Sequence, residues 1–255
     1  MISVEAVSWQ WGEVDAVCER NDVTLTHRRT QARLSVRDGR LVRGDGYAIS
    51  SADVRRELAR VGAIVRLRQR GRYLVHAAGV VDPSGRAWVL AGDSGSGKST
   101  LGYALTRAGW TSLGDDGVVI ERDADGFRAH GWRDALRVSR LLSGEFPELI
   151  TSESAIAVND PRQRLSLSPG SVARSGRIAA MVFLARGERH AIRAIGPLAA
   201  LGALIRQSPW VIIEDDHSRR HLDTLRHAAM LPAFEIEHTR AELHTIADIL
   251  TRTAA

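Results

Sequence analysis

The sequence predicts an α/β fold, because strand-like and helix-like segments alternate along most of the chain. From Arg72 onward, short apolar runs typical of buried strands alternate with segments of helical periodicity. One such strand, at residues 87–91, leads directly into a glycine-rich loop, and a helical segment at 101–107 follows the loop. Gly109, just past that segment, is a natural C-cap. Together these features indicate mixed strands and helices around one glycine-rich loop.

The first 50 residues predict a small β-rich subdomain. Short apolar stretches at 23–26 and 32–36 are broken by polar turns, and Asp38-Gly39 between alternating segments is a hairpin signal. Apolar spacing from Ser51 to Arg70 predicts a connecting helix, with Ser51 or Asp53 as its N-cap. We therefore expect residues 1–70 to form an N-terminal subdomain and residues 71–255 the main domain.

The main domain is expected to continue the alternation to the end of the chain. Its predicted elements are strands at 74–81, 87–91, 117–120 and within 127–137, a turn at 82–85, mixed helix or loop at 138–149, a central strand at 178–185, a helix at 197–207, an edge strand at 234–237 and a closing helix at 240–251.

Composition limits the class of protein. The 255 residues are 44% hydrophobic and 25% charged, which is ordinary for a folded globular chain. No apolar run approaches the roughly 18 residues that span a bilayer, and the N-terminus lacks a secretory signal. The single cysteine, Cys18, fits a reducing compartment. We expect a cytoplasmic protein with neither a membrane nor a nucleic acid as its partner.

The net charge of +5 comes from arginine, because Lys98 is the one lysine in the chain. Seven arginines between Arg55 and Arg72 either present a basic face to an acidic partner or form a solvated helix face. The second interpretation is the ordinary one for a helix.

The glycine-rich loop carries the most specific pattern in the sequence. Residues 92–99 satisfy G-x-x-x-x-G-K-[ST] at every fixed position, and the loop lies between a strand and a helix, as the motif requires. Its backbone N–H groups are expected to surround phosphate oxygens, with Lys98 bridging the β- and γ-phosphates and Ser99 as a magnesium ligand. The predicted nucleotide-binding residues are Gly92, Asp93, Ser94, Gly95, Ser96, Gly97, Lys98, Ser99 and Thr100. The expected cofactors are ATP and Mg²⁺.

Two adjacent carboxylates, Asp115 and Asp116, follow the helix and precede an apolar strand. A parallel or mixed sheet would return this turn to the edge that carries the loop. One carboxylate would then accept a proton from an attacking hydroxyl while the other binds magnesium. The alternative is an Asp-Asp-Gly turn with both side chains in solvent.

The chain here resembles the HPr kinase/phosphorylase-like proteins, whose kinase core is related to phosphoenolpyruvate carboxykinase. The resemblance rests on His76-Ala77-Ala78-Gly79-Val80, the loop 92–99, Ala108-Gly109-Trp110 and Leu113-Gly114-Asp115-Asp116, in this order. Later segments are similar to the short, kinase-only relatives, which occur in gene clusters for ribosomally made peptides, including lasso peptides. The resemblance implies an α/β P-loop kinase core, with Asp115 as catalytic base, Asp116 as its companion and metal ligand, and His76 beside the transferred phosphoryl. It also implies oligomers.

This sequence departs from the family pattern in several places. Thr100 stands where authentic members carry an acidic residue, and the later glutamate-containing signature and the phosphorylase loop are missing. The resemblance therefore favours a kinase without implying phosphorylase activity.

Other patterns in the sequence are weaker than the loop. Arg133 or Arg137 would supply a guanidinium for the transferred phosphoryl, or both are surface arginines. The acidic cluster in residues 212–217 either binds metal or is a solvated loop. The segment 142–145 lacks most of a transporter ATPase signature, and a chain with one lysine has no Asn-Lys-x-Asp motif of a GTPase.

The sequence thus predicts an ATP-dependent phosphotransferase acting on a hydroxyl, with Asp115, Lys98 and His76 in catalysis. The expected acceptor is a serine of a peptide or small protein. Two alternatives stay open: a nucleotide-dependent binding or regulatory module without kinase activity, and a kinase for a small metabolite such as free serine.

Overall fold

The computed structural model describes residues 6–19, 21–132, 136–139, 142–151, 162–165, 172–187, 191–213, 217–238, 248–250 and 252. The chain divides into two compact units. The first comprises residues 1–74 and 209–224, and the second comprises 75–208 and 225–255. The strand β6 (Arg72–Val75) and the helix α5 (Ser218–Ala228) each cross the boundary between these chain segments.

The first unit contains an antiparallel meander with strand order β1-β2-β3-β4-β5. Its strands are β1 (Val7–Trp11), β2 (Val14–Glu19), β3 (Asp22–His27), β4 (Arg33–Arg37) and β5 (Arg40–Arg43). Asp38 and Gly39 connect β4 to β5 with φ of +48° and +67°, which is the left-handed pair that a tight hairpin needs. The hairpin predicted at this pair is confirmed.

Helix α1 (Ala52–Gln69) packs on the meander through a stripe of buried residues that includes Leu58, Val61 and Ile64. Ser51 is its N-cap, since the hydroxyl oxygen accepts the Val54 N–H at 3.3 Å. The seven arginines between 55 and 72 do not share one exposed face. Arg68 is buried and donates to the Ile213 carbonyl at 3.0 Å, which reduces the basic surface that a partner would meet.

The second unit is a mixed sheet with helices. In the order of the chain its remaining elements are β7 (Ala77–Val81), β8 (Arg86–Gly92), α2 (Lys98–Arg107), β9 (Thr111–Gly114), β10 (Val118–Asp123), β11 (Gly126–Gly131), β12 (Leu136–Ser139), α3 (Glu148–Thr151), β13 (Arg162–Leu165), β14 (Ser175–Arg186), β15 (Ala191–Ala194), α4 (Pro197–Arg206) and β16 (Ala233–His238). The strand order runs β10-β11-β14-β8-β7-β9, β16 pairs with β14, and β12 pairs with β13. The predicted α/β class is observed.

The directions of the strands decide which strand ends lie at the same edge of the sheet. Strand β7 is antiparallel to both β8 and β9, so β8 and β9 end at the same edge, where β7 begins. Strand β14 is parallel to β8, and β16 is parallel to β14. The loops after β8 and β9, the residue before β7 and the ends of β14 and β16 therefore share one edge of the sheet.

Two strand predictions are corrected by the structure. The single strand expected at 74–81 is interrupted at His76, which separates β6 from β7. The strand expected at the sheet edge, β16, has partners on both sides, because β15 pairs with it antiparallel. The predicted closing helix at 240–251 lies largely outside the described residues, of which 248–250 and 252 are helical.

The core of the second unit lies between the sheet and α2. Trp110 is buried after α2, with its ring centroid 5.6 Å from that of Trp88 on β8. Leu101 and Leu105 of α2 are fully buried in the same cluster. This packing fixes the start of α2 relative to the end of β8, and so determines the shape of the loop between them.

No helix within the described residues is long and apolar enough to cross a membrane.

Candidate active site

The loop between β8 and α2 has a backbone that only glycine adopts readily at several positions. Gly92, Gly95 and Gly97 have φ of +150°, +79° and +101°. Gly97 is the N-cap of α2 and supplies no side chain to its first turn. The helix therefore presents the positive end of its dipole toward the loop, which is the arrangement that binds phosphate.

Gly92 is also required by close packing. A Cβ atom at this position would lie 2.5 Å from the Leu184 carbonyl oxygen of β14 and 2.7 Å from the Ser96 hydroxyl. Both distances are well inside van der Waals contact. The start of the loop is thus pressed against the neighbouring strand.

Lys98 is the first residue of α2, and its side chain turns back over the loop. Its ammonium group donates to the carbonyl oxygens of Gly92 at 2.7 Å and Asp93 at 3.0 Å. Burial lowers the pKa of Lys98, although the charges of Asp115, Asp116 and Asp93 oppose this shift. The single lysine of the chain is therefore held as a partly desolvated cation at the loop.

Asp115 follows β9 and is 2% exposed. Its Oδ2 accepts the backbone N–H of Arg137, at 3.2 Å. Burial raises the pKa of the Asp115 carboxyl and the neighbouring charge of Asp116 adds to the rise, while the nearby Ser99 hydroxyl and the Arg137 amide oppose it. A raised carboxylate pKa increases basicity, which suits a group that accepts a proton.

Asp116 and His76 complete the cluster. Asp116 has a left-handed backbone with φ of +63°, and its Oδ2 lies 3.9 Å from Nη1 of Arg137. Burial lowers the pKa of His76, Lys98 lowers it further, and the two aspartates oppose the shift. The structure thus brings His76, Lys98, Asp115 and Asp116 within electrostatic range of one another.

The side-chain oxygens around Asp115 are suitable ligands for a magnesium ion. The Ser99 hydroxyl and the Asp116 carboxylate, which would hold the ion, both lie beside Asp115, whose Oδ1 is buried and accepts no hydrogen bond within the described residues. The described residues contain no group of three or more His, Cys, Asp or Glu side chains arranged as a metal site. Magnesium at a phosphate loop does not need one, because phosphate and water oxygens supply most of its ligands.

The remaining predicted residues are only partly joined to this cluster. Asp93, Ser94 and Gly95 are exposed on the loop, and Thr100 lies half-buried in α2. Arg137 borders the cluster through its backbone and side chain. Arg133 and residues 214–216 lie outside the described residues, so the alternatives for them stay open.

Sequence reasoning missed Gln207, which follows α4. Its side-chain amide donates to Asp93 Oδ1 at 3.1 Å, and its backbone carbonyl accepts the His76 N–H at 2.7 Å. One residue thus links the glycine-rich loop to the segment that carries His76. In the sequence, the only sign of this role is that the polar pair Gln207-Ser208 follows an apolar helix. Polar residues end many helices, so this pattern does not identify a site residue.

No family model matches the chain, and no curated protein matches it. Among solved structures, the chain is similar to the HPr(Ser) kinase/phosphatase from Coxiella burnetii, at 11% sequence identity and a TM-score of 0.41, over 71% of this chain and 90% of that chain.

Proposed function

We propose that this chain is an ATP-dependent phosphotransferase that moves the γ-phosphoryl group to a hydroxyl, most simply a serine hydroxyl of a peptide or small protein. The observation that carries the proposal is the convergence of a buried carboxylate, Asp115, and a buried lysine, Lys98, at the edge that bears the glycine-rich loop. A base and a phosphate-binding cation at one edge are what in-line transfer requires.

Each residue has a distinct role in this proposal. Amides of the loop and of the first turn of α2 hold the β-phosphate, and the Lys98 ammonium exchanges its loop carbonyls for β- and γ-phosphate oxygens. Asp115 accepts the proton of the attacking hydroxyl, and His76 lies beside the transferred group. Ser99 and Asp116 would hold Mg²⁺, which when bound neutralises charge on the phosphate oxygens.

The raised pKa of Asp115 supports its assignment as the base rather than Asp116. Asp115 is nearly inaccessible and oriented by the Arg137 amide, whereas Asp116 is half-buried near the Arg137 guanidinium. A desolvated carboxylate that is fixed at one oxygen presents its other oxygen in a defined direction. That preorganisation is what a general base contributes.

The test uses γ-labelled ATP and Mg²⁺ with a panel of acceptors: free serine, serine-containing peptides and HPr. Asp115→Asn should lower transfer by about 10²- to 10⁴-fold, the usual contribution of a general base, while nucleotide affinity changes by less than about threefold. Lys98→Ala should weaken both binding and transfer. Asp123→Asn, which changes an exposed carboxylate on β10 in the same way, is the matched control.

The outcomes separate the alternatives that the sequence left open. Label on peptide but not on free serine supports a peptide kinase, and the reverse supports a metabolite kinase. Transfer at the wild-type rate by Asp115→Asn would overturn the base assignment. Nucleotide binding with no transfer to any acceptor would favour the binding or regulatory module, and no binding of ATP at all would overturn the proposal.

A further inference from the structure

A cleft of about 580 Å³ lies beside the phosphate loop, within the second unit. Loop residues 92–96 form one wall, α4 forms another, and Phe183 and Glu235 contribute from β14 and β16. The volume lies within the range typical of sites for small organic ligands, about 300–1,000 Å³. Asp115, Asp116 and His76 do not line it.

The wall made by α4 is apolar and open. Ala199, Gly202 and Arg206 recur at spacings of three and four residues, so they share one helical face, and all three line the cleft. Leu198, in the first turn, also lines it and is 84% exposed. A Cβ added to Gly202 would meet nothing nearer than an Arg206 guanidinium nitrogen at 3.8 Å. Small residues thus leave a flat apolar surface beside the loop.

The strands that line the cleft and the strand that leads to Asp115 lie on opposite sides of β8. In the sheet, β14 borders β8 on one side and β7 borders it on the other, followed by β9. The cleft takes residues from β14 and β16, whereas Asp115 follows β9 and His76 precedes β7. A polyphosphate held on the loop with its reactive end at Asp115 therefore has its other end toward the cleft.

Charge in the cleft is nearly balanced. Arg206 contributes one positive charge and Asp93 one negative charge, and Glu235 is paired with Arg193 through bonds of 2.6 and 3.0 Å. This does not suit a polyanion, which needs clustered cations. An uncharged planar group with polar edges would stack on the α4 face and hydrogen-bond at the rim.

We infer that this cleft binds the nucleoside of the nucleotide, with the base stacked on Leu198, Ala199 and Gly202 and with Arg206 and Glu235 at its polar edge. The inference rests on the proposed phosphate-binding role of the loop and adds to it the site that distinguishes a nucleotide from a bare polyphosphate. Gln207 joins the two parts, because it follows α4 directly and bonds to Asp93 of the loop.

The experiment compares two probes, ATP and inorganic tripolyphosphate, by calorimetric titration in the presence of Mg²⁺. Gly202→Leu places a side chain in the cleft without opposing the helix, since leucine is a better helix former than glycine. ATP affinity should fall by about tenfold or more, and tripolyphosphate affinity should stay within about twofold of wild type. Gly144→Leu is the matched control, because a Cβ there meets no atom within 4 Å and Gly144 does not line the cleft.

If Gly202→Leu weakens the binding of both ATP and tripolyphosphate, a milder variant tests the cleft separately. Leu198→Ala truncates a side chain that is too exposed to support the core, and it should weaken ATP by about threefold and leave tripolyphosphate unchanged. Unchanged ATP affinity in either variant would overturn the nucleoside site, as would wild-type protein that binds tripolyphosphate as tightly as ATP. Wild-type protein that binds neither probe would overturn the proposed function itself.

Discussion

Gly92 shapes the start of the glycine-rich loop, because a side chain at this position has no room. Replacing it with alanine combines an unfavourable backbone at φ of +150° with contacts of 2.5 and 2.7 Å to the Leu184 carbonyl and the Ser96 hydroxyl. Since the carbonyl belongs to a central strand, the loop must move instead. We expect Gly92→Ala to weaken ATP binding by about tenfold or more, measured by calorimetric titration.

Gly109→Ala separates backbone strain from steric contact. Gly109 has φ of +91°, and a Cβ there would have open space around it. This variant should lose about 1 kcal/mol of unfolding free energy and keep full ATP affinity. Equal ATP affinities for Gly92→Ala and wild type would mean that the loop tolerates a side chain at its start and that close packing is not what shapes it.

At the level of residues, the site was predictable where it is local. The loop and Lys98 follow from a contiguous motif, and the structure has the strand, loop and helix in the expected order. To predict that Asp115 and Asp116 lie near the loop, one inference about topology is needed, namely that β8 and β9 end at the same edge of the sheet. Gln207 was not predictable, since its two contacts join segments more than 100 residues away and no spacing rule reaches so far.

Among the elements, the turn before β8 is held by one carboxylate. Asp82 is 4% exposed, and its Oδ1 accepts the backbone N–H groups of Ser84 and Arg86 at 2.9 Å each. Its Oδ2 accepts the Trp88 Nε1–H at 3.2 Å. Burial alone would raise the pKa of Asp82. The hydrogen bonds from the Ser84 hydroxyl, the Arg86 amide and Trp88, together with the Arg86 charge, outweigh burial, so the net pKa is lowered.

We expect Asp82→Ala to lower the unfolding free energy by roughly 2–4 kcal/mol, because the buried Trp88 Nε1–H and two backbone N–H groups of the turn lose their acceptor together. Denaturant unfolding at pH 7 measures this. Because the folded pKa lies below the ordinary 3.8, the contribution is complete above that value and disappears as pH falls through the folded pKa. Asp125→Ala, in the exposed β10–β11 turn, is the control, and an equal loss from both variants would contradict the role given to Asp82.

Elements with a strong periodic pattern were predicted more accurately than those without one. Helix α4 and strand β14 were expected nearly where they occur, because a long apolar run or stripe is visible in the sequence. Strands β1 and β2 were not identified, since Val7–Trp11 alternates aromatic and polar residues only briefly. The break at His76 was missed because Leu74 to Val81 is apolar on both sides of a single polar residue, and only pairing reveals the interruption.

At the scale of the whole molecule, the first unit is built from two distant chain segments. Trp210, in the short 3-10 helix Pro209–Ile212, lies 4.9 Å from Trp9 and 4.7 Å from Trp11 between ring centroids. These aromatic contacts join positions about 200 residues apart in sequence. No local pattern indicates such a pairing, which is why the sequence predicts a boundary at residue 70 and leaves 209–224 in the main domain.

His221 lies in the same segment, 209–224, and is buried. Its burial makes the stability of the folded protein sensitive to acid. His221 of α5 is 0% exposed and stacks on Tyr73 at 4.1 Å between ring centroids, with an interplanar angle of 9°. Burial lowers the pKa of His221 to about 3, and the positive charge of Arg68 acts in the same direction. The ordinary histidine pKa is 6.5.

Between these two values the unfolded chain binds a proton at this position and the folded chain does not. Stability therefore rises with pH in that window: the contribution is complete above pH 6.5 and decreases toward pH 3. One proton corresponds to a slope of about 1.4 kcal/mol per pH unit. We expect the unfolding free energy of the wild type to decline by about this much per unit below pH 6, beyond the changes due to other groups.

His221→Phe isolates the effect, because phenylalanine retains a flat ring against Tyr73 and cannot bind a proton. Denaturant unfolding at pH 7, 6 and 5 should give a shallower decline for this variant than for wild type, so that the difference between them shifts in favour of the variant as pH falls. His227→Phe, at a half-exposed position of the same helix, controls for the loss of one histidine. Parallel curves for His221→Phe and wild type would mean that His221 is protonated in the folded state, with the ring open to water or paired with an acid.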